Sequence, residues 1–285
     1  MNFQPMKTAG FKCSRIIVAL FVAAQLHISA AESPWARIVV IGASASAGFT
    51  LSEPFGGTNT AKCKLNPYLD AAIITPHAPV KNLATALMFL NPESFGPMQI
   101  EAATNARPTL VIGLDFLFWF CYGDGRTDAD RAQRFETGLK LLERIPGPLV
   151  IGDIPDASAA TNTGIISASQ VPSDAARRAA NQRMQKWAAA HPQVAVVPLA
   201  DFMRATMANQ ALALHRETLP AGQTRALLQA DQLHPNPRGA VTLTLGILEA
   251  LSSKHPEFST NEICWDREKV FREGLKSVAA AVPKP

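Results

Sequence analysis

The sequence predicts a three-layer α/β/α sandwich around a five-stranded parallel sheet. Three observations carry this reading. Apolar runs recur at 36–42, 71–76, 108–120, 147–155 and 194–200, and they are continuous rather than alternating. Continuous runs suit strands that are covered on both faces. Helical patterns separate them, and strands alternating with helices imply βαβ units joined by right-handed crossovers. No linker divides the chain, so residues 32–285 read as one domain with an extra C-terminal helical tail.

The elements follow in order. ARIVVIG (36–42) is the first strand, and Gly42 stops it. AAIITP (71–76) is a weaker second strand, followed by a helical pattern over VKNLATALMFL (80–90). PTLVIGLDFLFWF (108–120) is the strongest strand signal, and an amphipathic pattern covers 128–145. GPLVIGDIP (147–155) is the fourth strand. The Ser/Thr/Asn-rich stretch 156–172 is a long loop of the kind that borders functional sites. Ser173 is placed to cap a helix over 173–191. VAVVPLA (194–200) is the fifth strand, and a helix follows over 238–254. The tail from 255 adds a helix and frays at its final prolines.

The chain is 47% hydrophobic and 18% charged, an ordinary globular composition. Its formal charge of +4 has a local source, because Lys7, Lys12 and Arg15 precede the first acid, Glu32. Beyond residue 31, 24 basic residues face 23 acidic ones, which removes the support for a nucleic-acid partner. Residues 1–31 have the parts of a secretory signal: a basic start, the apolar IIVALFVAAQL, and HISAAES with small residues for cleavage near Ala31. The apolar part is short for a membrane span, and no later stretch is long and uncharged enough to form one. The expected location is secreted or periplasmic, with no stable membrane span after cleavage. Export leaves Cys63, Cys121 and Cys264, so at most one internal pair can form. Cys63 and Cys264 lie in polar, loop-like surroundings, whereas Cys121 reads as a buried thiol.

Two segments carry chemistry. GASASAG (42–48) follows the first strand, at the carboxyl end where open parallel sheets place their sites. Its small residues suit a tight turn whether or not Ser44 is a nucleophile. DQLHPNPRGA (231–240) sets Asp231 three residues before His234, and Pro235 biases His234 away from helical geometry. A turn there can fold Asp231 onto Nδ1 and leave Nε2 for a serine, the order a nucleophilic hydroxyl needs. The same segment also reads as a helix-entry turn with a capping acid and an incidental histidine. The other five histidines, 27, 77, 191, 215 and 255, lack such a setting.

Together these blocks resemble the SGNH, or GDSL-like, hydrolase superfamily over about residues 36–252. The family's first block, Gly-Asp-Ser-x-x-x-Gly, reads Gly42-Ala43-Ser44-Ala45-Ser46-Ala47-Gly48, and its last, Asp-x-x-His-Pro, reads Asp231-Gln232-Leu233-His234-Pro235. The resemblance implies a flavodoxin-like sandwich and hydrolysis of esters or thioesters through an acyl-enzyme. It also implies no metal and no cofactor. It gives Ser44, His234 and Asp231 the roles of nucleophile, base and orienting acid. It places the oxyanion hole at the Ser44 N–H, Gly113 and Asp115.

The departures from the pattern are specific. Ala43 replaces the aspartate of the first block, and Gly-x-Asn-Asp is here Gly113-Leu114-Asp115-Phe116. Asp115 stands where an oxyanion-donating asparagine is expected, and a carboxyl can donate there only as the protonated acid. The second-block glycine has no clear counterpart near Ala84. Two functions remain in view: an exported esterase, deacetylase or acyltransferase acting on a small-molecule or glycan ester, and a weak or inactive binding protein on the same fold. An ordinary α/β-hydrolase would need Gly-x-Ser-x-Gly, which Gly42-Ala43-Ser44-Ala45-Ser46 does not supply. The aromatic run FLFWFCYGDG (116–125) is either core or the wall of an apolar acyl pocket or sugar platform.

Overall fold

The computed structural model describes residues 32–123, 127–215 and 217–281, with Met1, Asn2 and Gln4. The signal sequence expected over 1–31 and the terminal prolines of the tail otherwise lie outside the described residues. Strand β1 (Ile38–Val40) leads into the one-turn helix α1 (Ser44–Ala47), and α2 (Thr58–Ala61) and α3 (Asn66–Ala72) follow. Strand β2 is only Lys81–Asn82, and a 3-10 turn covers Ala86–Phe89 before α4 (Pro92–Asn105). Then come β3 (Leu110–Gly113), α5 (Phe118–Cys121), α6 (Asp128–Leu142) and β4 (Leu149–Gly152). The chain continues through α7 (Asp174–Ala190), β5 (Val194–Val197) and α8 (Leu199–Met207). A hairpin of β6 (Leu212–Leu214) and β7 (Glu217–Leu219) precedes α9 (Pro237–Lys254) and α10 (Arg267–Ala281).

The main sheet is five-stranded in the order β2-β1-β3-β4-β5, and every pairing in it is parallel. Its strands show why their sequence is continuously apolar. Ile38 and Val40 of β1 and Leu110 and Ile112 of β3 pack into one core, with α9. Val39, Ile41 and Val111 pack into the other, with Phe135 and Leu139 of α6. The period of two sends alternate side chains to opposite faces, and both faces are covered. Burying one such side chain fully stabilises the fold by about 1.5–3 kcal/mol.

The second strand is a correction. Residues 71–76 end a helix rather than form a strand, and only Ile73 makes a bridge, to Ile263. Pro67 starts α3, and Tyr68, Leu69 and Ala72 bury its inner face. The true edge strand, Lys81–Asn82, lies inside the stretch expected to be helical, and it is too short and polar to leave a hydrophobic signal. The third strand stops at Gly113, not at 120, because Leu114–Leu117 turn into α5. Among the described residues no helix is long and apolar enough to cross a membrane.

Candidate active site

The order 2-1-3-4-5 puts a topological switch point between β1 and β3, beyond whose carboxyl ends a crevice opens. Ser44 follows β1 and Asp115 follows β3, so both stand at that point.

The turn after β1 is held from two sides. The Gly42 N–H donates to Gln99 Oε1 at 2.6 Å, and Gln99 Nε2 donates to the Gly42 carbonyl at 2.9 Å. Gly42 has φ +137°, and a Cβ there would sit 2.2 Å from Asp115 Oδ1, so only glycine fits. Asp115 lies beneath the turn. Its Oδ1 accepts from the Ala43 N–H (2.9 Å) and the Ser46 hydroxyl (2.6 Å). Its Oδ2 accepts from the Ala45 N–H (2.8 Å) and the Ser46 N–H (3.2 Å). Four donors converging on two oxygens is the pattern of an acceptor-only carboxylate. The expected role of Asp115 as an oxyanion donor is therefore corrected: it accepts, and it holds the turn. Of the N–H groups from Ala43 to Ser46, Asp115 takes all but that of Ser44.

Ser44 Oγ lies 2.8 Å from His234 Nε2, and His234 Nδ1 lies 2.8 Å from Asp231 Oδ2. The second carboxylate oxygen, Oδ1, accepts from the N–H groups of Leu233 and His234, both at 3.0 Å. Gln232 adopts φ +62°, the left-handed residue that lets the segment fold back on itself. Asp231 is 1% and His234 4% exposed. Burial pushes the Asp231 carboxyl upward, but the hydrogen bond and charge of His234, with the two N–H donors, hold it below the ordinary carboxylate value.

Further contacts fix the imidazole. Phe49 stacks on His234 with ring centroids 4.2 Å apart. Gln229 Nε2 donates to the carbonyls of Phe49 (2.7 Å) and Pro235 (2.9 Å), which ties the serine turn to the histidine loop. Thr163, from the long loop, donates to the Asp231 carbonyl at 3.0 Å. Gln99, Gln229 and Phe49 were not legible in sequence, because a lone glutamine or phenylalanine carries no spacing signal.

The other expected residues separate from this group. Gly113 is buried at the end of β3, and a Cβ there would sit 3.2 Å from the Ile41 side chain. The Ala84 N–H donates to Asn82 Oδ1 at 3.0 Å. Cys63, Cys121 and Cys264 are all free thiols, so Cys63 and Cys264 do not pair. Burial, helped by the charge of Asp231, pushes the Cys63 thiol up to about 11, which leaves almost no thiolate near neutral pH. His77, His191 and His255 bond backbone carbonyls, and His215 stacks on Trp265. Among the described residues no cluster of three His, Cys, Asp or Glu side chains could hold a metal ion.

Two cavities share Ser44, Leu233 and His234. The smaller, of about 40 Å³, is bounded by Ala43, Phe118, Pro155 and Met203. The larger, of about 240 Å³, is bounded by Phe49, Phe55, Phe89, Trp119, Ile165 and Ile166. A cavity of about 720 Å³ lies away from Ser44, between β5 and α9, and no histidine or cysteine lines it. The aromatic run thus divides. Phe116, Phe120 and Tyr122 are fully buried core, while Phe118 and Trp119 face the two cavities at Ser44.

The parallel sheet, the serine after β1 and the Asp-x-x-His block before α9 stand in the order that the sequence motifs predicted. No family model matches the chain, and no curated protein matches it in sequence. Solved structures do. TesA aligns with a TM-score of 0.44 and 18% identity, over 76% of this chain and 99% of TesA. The protein YxiM from Bacillus subtilis aligns with a TM-score of 0.46 and 15% identity, over 77% of this chain and 56% of YxiM. A proposed GDSL-like lipase from Parabacteroides merdae aligns with a TM-score of 0.44 and 15% identity, over 76% of this chain and 96% of that protein.

Proposed function

We propose that this chain is an exported serine hydrolase of carboxylic esters, an esterase, deacetylase or acyltransferase of SGNH type. The observation that carries the reading is the unbroken line from Ser44 Oγ through His234 to Asp231, with both hydrogen bonds at 2.8 Å. His234 Nε2 takes the Ser44 proton as Oγ attacks the ester carbonyl carbon. Asp231 holds the Nδ1 proton and stabilises the imidazolium that forms. The tetrahedral oxyanion finds the Ser44 N–H at the head of α1. Collapse breaks the ester C–O bond, and His234 returns its proton to the leaving alkoxide. Water, deprotonated by His234, then attacks the acyl-enzyme, collapse of the second tetrahedral intermediate releases the acid, and Ser44 recovers its proton.

A second reading has its own support. Asp115 is turned under the serine loop and accepts from its N–H groups, so its side chain is not the donor that the resemblance implied. One missing donor lowers turnover by about 10²–10³. A weak enzyme, or a binding protein on this fold, accords with that. A fluorophosphonate probe separates the readings. Labelling of the wild type that is lost in Ser44→Ala and His234→Ala supports the hydrolase. No labelling of the folded wild type favours the binding protein.

A further inference from the structure

We infer that the ester this site accepts carries an apolar group of about eight non-hydrogen atoms, which fills the cavity bounded by Phe49, Phe55, Phe89 and Trp119. The inference rests on the hydrolase reading and narrows it from esters in general to hydrophobic ones, against acetylated glycans. The cavity of about 240 Å³ begins at Ser44 and His234 themselves, so whatever fills it is attached to the reacting carbonyl or its alcohol. At ~30 Å³ per water-sized group, the space holds about eight such groups. Besides Ser44 and His234, the polar side-chain groups among the described lining residues are Gln170 and the indole N–H of Trp119. A sugar ring would leave most of its hydroxyls facing aromatic and aliphatic walls, which is unfavourable for each unpaired group. An alkyl chain or aryl ring loses nothing there and removes its own surface from water.

The walls continue outward. Trp119 is 6% exposed and makes a closed wall, with Phe89 against it at 6.0 Å between ring centroids. Phe89 is 40% and Phe55 76% exposed at the mouth. The end of a longer chain leaves the cavity through this mouth toward solvent, where it adds little. The other cavity at Ser44, of about 40 Å³, holds no more than a methyl group or one water. Selectivity for size therefore resides in the larger space.

The test uses two ester series. One varies the acyl group from acetyl to dodecanoyl on a fixed small alcohol. The other varies the alcohol over the same lengths as acetates. Binding to folded Ser44→Ala protein is measured by calorimetry, and kcat/KM is measured on the wild type. In one series affinity and kcat/KM rise by up to about four-fold per methylene, and the gain stops near eight carbons. The series that shows the rise tells which half of the ester occupies the cavity. Ala86→Leu, which narrows the cavity, moves the stopping point to shorter chains, and Phe89→Ala lowers the gain per methylene. No dependence on length in either series, or tighter binding of acetylated xylan than of octanoyl esters, overturns the inference. Because Ser44→Ala binds without reacting, this result is independent of whether the fluorophosphonate labels Ser44.

Discussion

Replacing Asp115 with asparagine separates its two roles, because the change keeps the shape and alters only what the side chain can accept. In the wild type, Oδ1 serves the Ala43 N–H and the Ser46 hydroxyl, and Oδ2 serves the Ala45 and Ser46 N–H groups. An amide has one acceptor oxygen. With that oxygen in the place of Oδ2, two N–H donors stay satisfied, and the Ser46 hydroxyl can rotate to accept from the new amide. The Ala43 N–H then faces another N–H and has no acceptor. The opposite orientation strands two N–H donors and is worse. One orphaned buried donor costs about 1–3 kcal/mol, and the lost charge assistance adds to it. Urea unfolding of Asp115→Asn should show a lower midpoint at unchanged slope. Labelling of Ser44 should slow, by about tenfold for each 1.4 kcal/mol that falls on the serine turn. An unchanged midpoint together with faster labelling would refute the argument, since it would mean that residue 115 faces the oxyanion as a donor.

Three further outcomes are expected. Burial first, and the nearby charge of Asp201 second, push the Asp153 carboxyl up to about 6, against the N–H of Ala200, which stabilises its charge; its folded pKa lies above its unfolded one, so stability falls as pH rises from about 4 to about 6 and stays reduced above that. Asp153→Asn should flatten this window and add on the order of 1–3 kcal/mol at pH 7, read from urea midpoints at pH 4, 5, 6 and 7. Asp231 has the opposite sign: its folded pKa lies below its unfolded one, so its contribution is present above about pH 4 and is lost as pH falls through the folded value, which Asp231→Asn should remove from the acid limb of an unfolding titration. Mass spectrometry of the protein from its native cell envelope should give an N-terminus near Glu32, and an intact Met1 in a cytosolic fraction would refute export.

The strands that carry most of the fold were legible because β1, β3, β4 and β5 are buried on both faces and read as unbroken apolar runs. The edge was not. Lys81–Asn82 has one sheet neighbour and a polar sequence, so neither periodicity nor β-propensity marks it. Helix α4 was missed for a related reason: Pro92, Gly96 and Pro97 lower its propensity, and its place comes from burying Gln99, Ile100 and Ala103 rather than from a helical pattern. The hairpin of β6 and β7 is three residues a side and equally silent. The Asp231/His234 pair was legible because its parts lie three residues apart and the turn between them is local. Its partnership with Ser44 spans 190 residues and rested on the order of the blocks.

Positions 43 and 115 meet in space, and this explains how the serine turn is held. Position 43 has no carboxylate, and position 115 has one where an amide was expected. Read along the chain, these are two losses 72 residues apart. In three dimensions the Asp115 carboxylate sits under Ala43 and takes the N–H groups of the turn that contains Ser44. Ala43 is then the side chain that leaves room, since it is 1% exposed and packs in the same core as Phe116 and Phe118. The turn that carries Ser44 is kept with Asp115 as its acceptor, and on the proposed hydrolase reading the oxyanion then has one donor fewer. Restoring the donor therefore requires more than Asp115→Asn, because the turn would lose its acceptor in the same step. A new donor has to come from elsewhere on the wall, and Ala86, which lines the larger cavity together with Ser44, is the position from which Ala86→Asn would test it. Faster turnover in Ala86→Asn with Asp115 intact would show that acceptor and donor are separate requirements of this site, and no gain from that variant would count against a donor placed at position 86.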